Sequence, residues 1–138
     1  MSDVLSSLLP PQEKLRLKWG NHKENISSVF QEFRNSGDFC DVTLVCGGHQ
    51  LEAHRVILAA SSAFFRDMLQ RHPHPHPLVY MKGVDCKHLW SVVNFMYRGE
   101  VNISEADLAS FMEVAEDLQV CIKLKCTDYS RNMFSCVL

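Results

Sequence analysis

The residue types of a serine hydrolase occur close together in the first half of the chain, as Asp41, His54 and either Ser61 or Ser62. Such a triad needs a serine that is presented to a histidine base, which is in turn oriented by a carboxylate. The chain contains no G-x-S-x-G turn that would expose a nucleophilic serine. We therefore predict no catalytic residue and interpret His54 as a hydrogen-bonding residue at a strand-to-helix turn.

A second candidate for chemistry is the connector at residues 72–77, where His72, His74 and His76 alternate with three prolines. Imidazoles at this spacing are weak candidates for binding a soft divalent metal. No acidic residue stands beside them to orient the rings. Alternating prolines predict an exposed, polyproline-like connector, so we expect no physiological metal and no cofactor.

The cysteines and glycines likewise lack the spacing that chemistry requires. None of the six cysteines forms a C-x-x-C pair, although structural zinc usually needs such close ligand pairs. We interpret Cys40 and Cys46 as small apolar strand residues. Gly47 and Gly48 are not followed by the lysine and hydroxyl residue of a phosphate-binding loop.

Length and charge limit the remaining function classes. The 138 residues suit a single domain, and a formal net charge of −2 argues against a nucleic-acid-coating protein. No apolar run is long enough for a membrane span, and residues 1–12 do not have the form of a signal peptide, so we expect a reducing compartment.

The elements at the amino end carry two apolar stripes. After a loose leader at residues 1–12, residues 15–19 alternate apolar and basic side chains, which predicts a half-buried strand. Asn21 and Glu24 have the form of a capping box. In the helix that follows, apolar residues recur at helical spacing before Gly37 ends it: Ile26, Val29, Phe30 and Phe33. This stripe covers either the chain's own core or a second copy, and periodicity does not decide between them.

The rest of the pattern predicts an α+β fold with a small sheet. Residues 41–46 and 50–53 form a hairpin around Gly47 and Gly48. A buried helix follows His54, and Ser61 or Ser62 caps a second short helix. Further on, the sequence predicts strands at 78–81 and 101–103 and helices that begin after Asp85 and Ser104. Residues 100–122 hold six acidic residues and neither lysine nor arginine. This segment is either a solvated face or a docking face for the basic strand of another copy.

Four stretches taken together resemble the BTB/POZ domain: FCDVTLV at 39–45, AHRVILAASS at 53–62, FMYRGEV at 95–101 and VAEDL at 114–118. The segment LKWGN at 17–21 and the His-Pro connector further resemble the Tramtrack group of insect BTB proteins. The resemblance covers residues 13–122 and leaves a C-terminal tail at 123–138, whose structure we do not predict and which departs from the group's usual continuation.

The resemblance implies a cluster of short helices flanked by a small sheet, and a non-enzymatic module that forms homodimers or larger assemblies. The N-terminal strand is expected to be exchanged between copies. Asp41 and Arg55 match the charged pair near the family's dimer centre. Carried onto this chain, the expected interface residues are Leu15, Leu17, Trp19, Ile26, Val29, Phe30, Phe33, Val56 and Ala59.

The resemblance also implies a cellular role and a set of partners. Members of the Tramtrack group are usually nuclear regulators of transcription or chromatin, and their partners are other copies, related BTB proteins and co-regulators. The chain itself has no DNA-binding signature and no membrane segment. The alternative is a substrate adaptor for a cullin-type ubiquitin ligase. Such adaptors commonly carry a hydrophobic-x-acid element after the third helix, whereas residues 68–72 here contain no acid.

Overall fold

A three-stranded sheet lies beside five helices in the computed structural model, which describes residue 8 and residues 13–120. The expected α+β class is therefore confirmed. None of the described helices has the length and apolar character needed to cross a bilayer. In chain order the elements are α1 (His22–Ser36), β1 (Val42–Cys46), β2 (His49–Ala53), α2 (Arg55–Ser61), α3 (Ala63–Arg71), β3 (Leu78–Tyr80), α4 (Cys86–Arg98) and α5 (Glu105–Asp117).

The sheet has the order β2-β1-β3, with β2 antiparallel and β3 parallel to β1. Gly47 and Gly48 join β1 to β2 with φ of 53° and 83°, values that favour glycine and suit the two-residue hairpin turns that match strand twist. The turn sets the register in which Val42 faces Ala53 and Cys46 faces His49. The predicted hairpin is confirmed.

The core lies between the inner face of the sheet and the helices. Val42, Leu44 and Cys46 alternate along β1 and are fully buried, as period-two side chains on one sheet face should be. Phe65 of α3 and Phe111 of α5 are the largest buried side chains, and each contributes roughly 1.5–3 kcal/mol by burial.

In three of the helices the residue directly before the helix caps it with its own side chain. The Ser62 hydroxyl accepts from the Phe65 N–H at 3.1 Å, which identifies Ser62 rather than Ser61 as the cap of α3. Asp85 and Ser104 cap α4 and α5 as expected. Gly37 ends α1 with φ of 78°, a left-handed position in which glycine bears no steric cost.

The predicted capping box at the start of α1 is wrong in its geometry, although the helix begins where expected. Asn21 has φ of 59° and its side chain makes no capping hydrogen bond. A capping side chain reaches the first N–H groups from an extended backbone, and the left-handed backbone of Asn21 does not provide that approach. Its carbonyl instead accepts from the Asn25 N–H at 2.9 Å.

Two predicted strands do not form in the single chain. Residues 15–19 and 101–103 have no regular secondary structure, and Leu15 and Leu17 are 87% and 90% exposed. A strand requires a neighbouring strand for its backbone groups, and neither segment finds one within the described residues.

The helix α2 is less buried than its apolar sequence predicted. Only Leu58 of its residues is fully buried, and Val56 is 63% exposed. The helix packs against α3 and α4, which leaves its outer side uncovered despite the apolar residues there.

Candidate interaction surface

The first helix holds an apolar stripe that the chain itself covers only in part. None of the 15 residues of α1 is fully buried, whereas a surface helix normally buries its apolar stripe against its own core. Polar bonds attach α1 to α4: the Ser27 hydroxyl donates to the Tyr97 carbonyl at 2.8 Å, and the Arg34 guanidinium donates to the Asn94 amide oxygen. The helix is therefore fixed in place while much of its apolar stripe stays accessible.

Phe30 takes part in both the interior and this stripe. Its ring stands edge-on to the His54 ring at 5.7 Å and to the Phe33 ring at 6.4 Å, and it packs against the core while half-buried. The stripe therefore covers the chain's own core only in part, because it contacts the core at Phe30 and remains exposed at Ile26.

The expected interface residues differ in how far the single chain covers them. Leu15, Leu17, Trp19, Ile26 and Val56 are exposed. Val29, Phe30, Phe33 and Ala59 are half-buried. Phe39 was not predicted, yet it is 77% exposed and its ring meets that of Phe33 at 5.0 Å. Its backbone is left-handed, with φ of 61°, which a pattern of apolar residues does not reveal.

Asp41 and Arg55 form an ion pair that also begins a helix. The Arg55 Nε lies 2.9 Å from Asp41 Oδ2, and the Arg55 backbone N–H donates to Asp41 Oδ1 at 2.7 Å. Partial burial raises the pKa of Asp41, but these bonds and the positive charge of Arg55 outweigh it and hold the pKa below its usual value. The carboxylate thereby caps α2 in place of His54, whose side chain makes no cap bond.

His54 is held in a buried hydrogen-bond network rather than in a hydrolase triad. The Tyr97 hydroxyl accepts from the His54 backbone N–H at 2.8 Å and lies 2.6 Å from His54 Nδ1, while His54 Nε2 lies 2.9 Å from the Asp38 carbonyl oxygen. The three bonds fit an imidazole that donates from Nε2 and accepts at Nδ1. Asp41 binds Arg55 instead, and the Ser62 hydroxyl donates to the Leu118 carbonyl. The residues are therefore structural.

Tyr97 should make stability fall at alkaline pH, because burial raises the pKa of Tyr97 to about 12 from an ordinary value of 10.0. Below pH 10 both the folded and the unfolded chain keep the phenol neutral. Above it the unfolded chain loses the proton first, which favours unfolding until the folded chain also ionises. Urea unfolding across this range should show a smaller loss of stability for Tyr97→Phe than for the parent chain. An equal loss would contradict the assignment.

The His-Pro connector is exposed, as predicted, but hydrogen bonds hold it against β1 and α2. His76 Nε2 lies 2.7 Å from the Thr43 hydroxyl, and the Arg55 guanidinium donates to the His74 carbonyl at 2.7 Å. Within residues 13–120, no three His, Cys, Asp or Glu side chains are grouped as metal ligands, so the structure does not bring His72, His74 and His76 together as a site.

The fold has a clear counterpart among solved structures. The chain resembles the BTB domain of human gigaxonin with a TM-score of 0.67 at 20% sequence identity, over 78% of this chain and 88% of that one. At this identity the likeness concerns the fold alone. A family-wide sequence profile described as the BTB/POZ domain also matches residues 30–133.

The chain belongs to the BTB/POZ domain family. BTB domains are protein-interaction modules that mediate dimerisation and contacts with other BTB proteins or partners. The family match begins at Phe30 and continues beyond the described residues. The domain bounds of 13 and 122 stay a prediction, and the leader and tail lie outside the described residues apart from Leu8.

Similar proteins include members of the Tramtrack group from Drosophila melanogaster. The sex determination protein fruitless is 40% identical over 104 residues, which are 75% of this chain and 11% of fruitless. The transcription activator GAGA is 37% identical over 81% of this chain and 19% of its own length. The longitudinals lacking protein-like is 35% identical over 82% of this chain and 89% of its own length. This BTB domain thus spans less than a fifth of fruitless and GAGA.

Sequence reasoning missed several residues that organise this BTB domain. Tyr97 was given no role of its own within the FMYRGEV stretch, although it closes the His54 network and stacks beneath the Arg34 guanidinium at 4.6 Å. The apolar pattern gave no signal for these contacts, because they join side chains on two helices that are distant in the sequence.

Proposed function

We propose that this BTB domain joins copies of a nuclear regulator of transcription or chromatin into homodimers or larger assemblies. The observation that carries the proposal is the apolar stripe of α1, which has no fully buried residue in the single chain. Burying such a stripe against its twin removes apolar surface from water without any change in the fold. A two-fold contact is self-complementary, so each side chain acts twice.

Two neighbouring surfaces support the same pairing. Val56 on α2 is exposed, and it extends the apolar surface beyond α1. Residues 13–19, which we name the N-terminal segment, include the strand pattern of residues 15–19 and have no strand partner among the described residues. Exchange of this segment with a second copy would give its backbone groups a sheet to bond with and would cover Leu15 and Leu17.

We infer the role in transcription regulation from the similar proteins. GAGA is named as a transcription activator, and homologues of this kind support a role in transcription regulation. Oligomerisation benefits DNA-bound proteins because linking two weak readers raises their effective concentration without new base contacts. We expect other copies, related BTB proteins and co-regulators as partners, nuclear localisation, and no enzymatic activity or direct DNA contact by this domain.

The mass of the purified chain tests the proposal. Size exclusion with light scattering should give at least two chains of 15.8 kDa. A single-chain mass at micromolar concentration would overturn it. Co-purification with a related BTB protein such as tramtrack would show heterotypic pairing, whereas exclusive self-pairing would remove related BTB proteins from the expected partners.

The cullin-adaptor alternative ranks second. Adaptors of this type are expected to carry an acid after the third helix, and none follows Met68 within residues 68–72. The nearest acid, Asp67, lies on α3 and pairs with Arg71 at 3.1 Å. A pull-down with purified cullin discriminates between the two functions, because tight binding would reverse the ranking.

A further inference from the structure

Two thiols meet where the end of β1 approaches the start of α4. Cys46 is the last residue of β1 and is fully buried, and Cys86 is the first residue of α4 and is half-buried. Cys86 Sγ donates to the Cys46 carbonyl at 2.9 Å, and Cys46 Sγ donates to the Val84 carbonyl at 3.1 Å. Each thiol is therefore directed at the short segment that carries the other. We call Cys46 and Cys86 the thiol pair.

The glycine that follows Cys46 makes room for this approach. A Cβ at Gly47 would lie 3.2 Å from Cys86 Sγ, which is closer than ordinary van der Waals contact. The φ of 53° at Gly47 also lies in the left-handed region that favours glycine. The hairpin turn thus lets the Cys86 thiol reach the end of β1, where a larger residue would push it away.

The members of the thiol pair differ in access to solvent and in proton affinity. Burial, the neighbouring Cys86 thiol and the negative charge of Asp85 raise the pKa of the Cys46 thiol to about 11 from an ordinary value of 9.0. Cys46 is therefore protonated at neutral pH and covered, whereas Cys86 is partly accessible. Since a thiol must reach a reagent before it can react with it, Cys86 is the residue that meets an external reagent first.

The surroundings of the thiol pair do not suit a structural metal. Structural zinc is bound by four ligands. Within residues 13–120, no three His, Cys, Asp or Glu side chains are grouped closely enough to hold an ion. Two adjacent thiols without further ligands have the composition that a disulfide requires.

We propose that Cys46 and Cys86 form a reversible intramolecular disulfide when the protein meets a small-molecule disulfide such as glutathione disulfide. Cys86, as the thiolate, attacks one sulfur of the reagent and releases one glutathione thiolate. Cys46 then loses its proton and attacks the Cys86 sulfur of the mixed disulfide, which releases the second glutathione thiolate. The two protons lost by the protein are taken up by the two glutathione thiolates. Two protein thiols are oxidised and one small disulfide is reduced.

The bond would link residues 46 and 86 across the segment that contains β2, α2, α3, the His-Pro connector and β3. A crosslink of this kind stabilises a fold chiefly by restricting the unfolded chain. In a reducing compartment such bonds are usually transient and redox-sensing, so the stability of the domain would follow the thiol redox balance. Neither cysteine is among the expected interface residues, and the inference does not depend on the proposed oligomerisation.

Peptide mapping of the full chain after incubation with glutathione disulfide tests the inference. Trypsin should release residues 35–55, which contain Cys40 and Cys46, and residues 83–87, which contain Cys86. We expect mass spectrometry to find these two peptides joined, and dithiothreitol to separate them.

Matched variants identify the cysteines in the joined peptides. Cys40→Ser should keep the joined peptides, and Cys46→Ala should abolish them. Loss of the joined peptides in Cys40→Ser would overturn the inference, because the bond would then involve Cys40. Detection of Cys86 only as a free thiol, a glutathione adduct or a partner of another cysteine would also overturn it.

Thermal unfolding measures the effect of the bond on the fold. The oxidised parent chain should unfold about 5–10 °C above the reduced chain. Cys86→Ser, at a half-buried position, should unfold at the same temperature in both conditions. An unchanged or lower midpoint on oxidation of the parent would overturn the inference, and so would an upward shift that persists in Cys86→Ser, because other cysteines would then be responsible.

Discussion

Val56→Asp should give a folded chain that has the mass of a monomer. Val56 is 63% exposed in the single chain, so an aspartate there meets water and leaves the fold intact. At a two-fold contact the same aspartate is buried beside its own copy. Each unpaired buried charge costs about 3–5 kcal/mol, which raises the dimer Kd at least about a hundredfold. Light scattering measures the mass, and circular dichroism reports whether the helices remain.

Leu78→Asp is the matched control for this experiment. Leu78 on β3 is also 63% exposed and lies outside the expected interface. It should keep the mass of the parent chain. Loss of assembly in both variants would indicate a general effect of added charge, and retention in both would show that α2 does not contribute to the interface.

Phe30→Asp should have a larger effect, because Phe30 is needed in two places. In the single chain its ring packs against His54 and the core, and loss of that burial costs about 1.5–3 kcal/mol. In the assembly the new charge would also be buried at the symmetric contact. We expect a destabilised monomer or an insoluble product, measured by urea unfolding and light scattering.

Phe30→Leu supplies the comparison for Phe30→Asp. It keeps an apolar side chain and should retain the assembly with a modest loss of stability. A soluble and fully folded Phe30→Asp assembly of unchanged mass would show that α1 is not at the interface.

Features that depend on a few adjacent residues were predictable from the sequence. The hairpin at Gly47 and Gly48 follows from turn chemistry, and the caps at Asp85 and Ser104 follow from side chains that bond N–H groups two or three residues away. The contact between Asp41 and Arg55 was anticipated only through the family resemblance. Its capping of α2 depends on how the start of β1 and the start of α2 meet in space, which sequence spacing does not encode.

Features that depend on residues far apart in the sequence, or on another molecule, could not be predicted from local sequence patterns. Residues 15–19 have the alternation of a strand, but alternation specifies the faces of a strand and not its neighbour. The helix after His54 was expected to be buried, and only the family resemblance assigned Val56 to an interface, because an apolar sequence does not state whether a helix is covered by its own chain or by another. Asn21 was assigned a capping role from its residue type and its spacing to Glu24, and its left-handed backbone excludes that role.

The double role of Asp41 limits how partner choice in this protein can be engineered. A common route to orthogonal pairs is to exchange the signs of two contacting charges. Here Asp41→Arg with Arg55→Asp would restore opposite signs but would remove the acceptor of the first backbone N–H of α2. It would also place a cation at the positive end of that helix dipole. Selective variants should therefore be sought among side chains whose only contacts are with the other subunit.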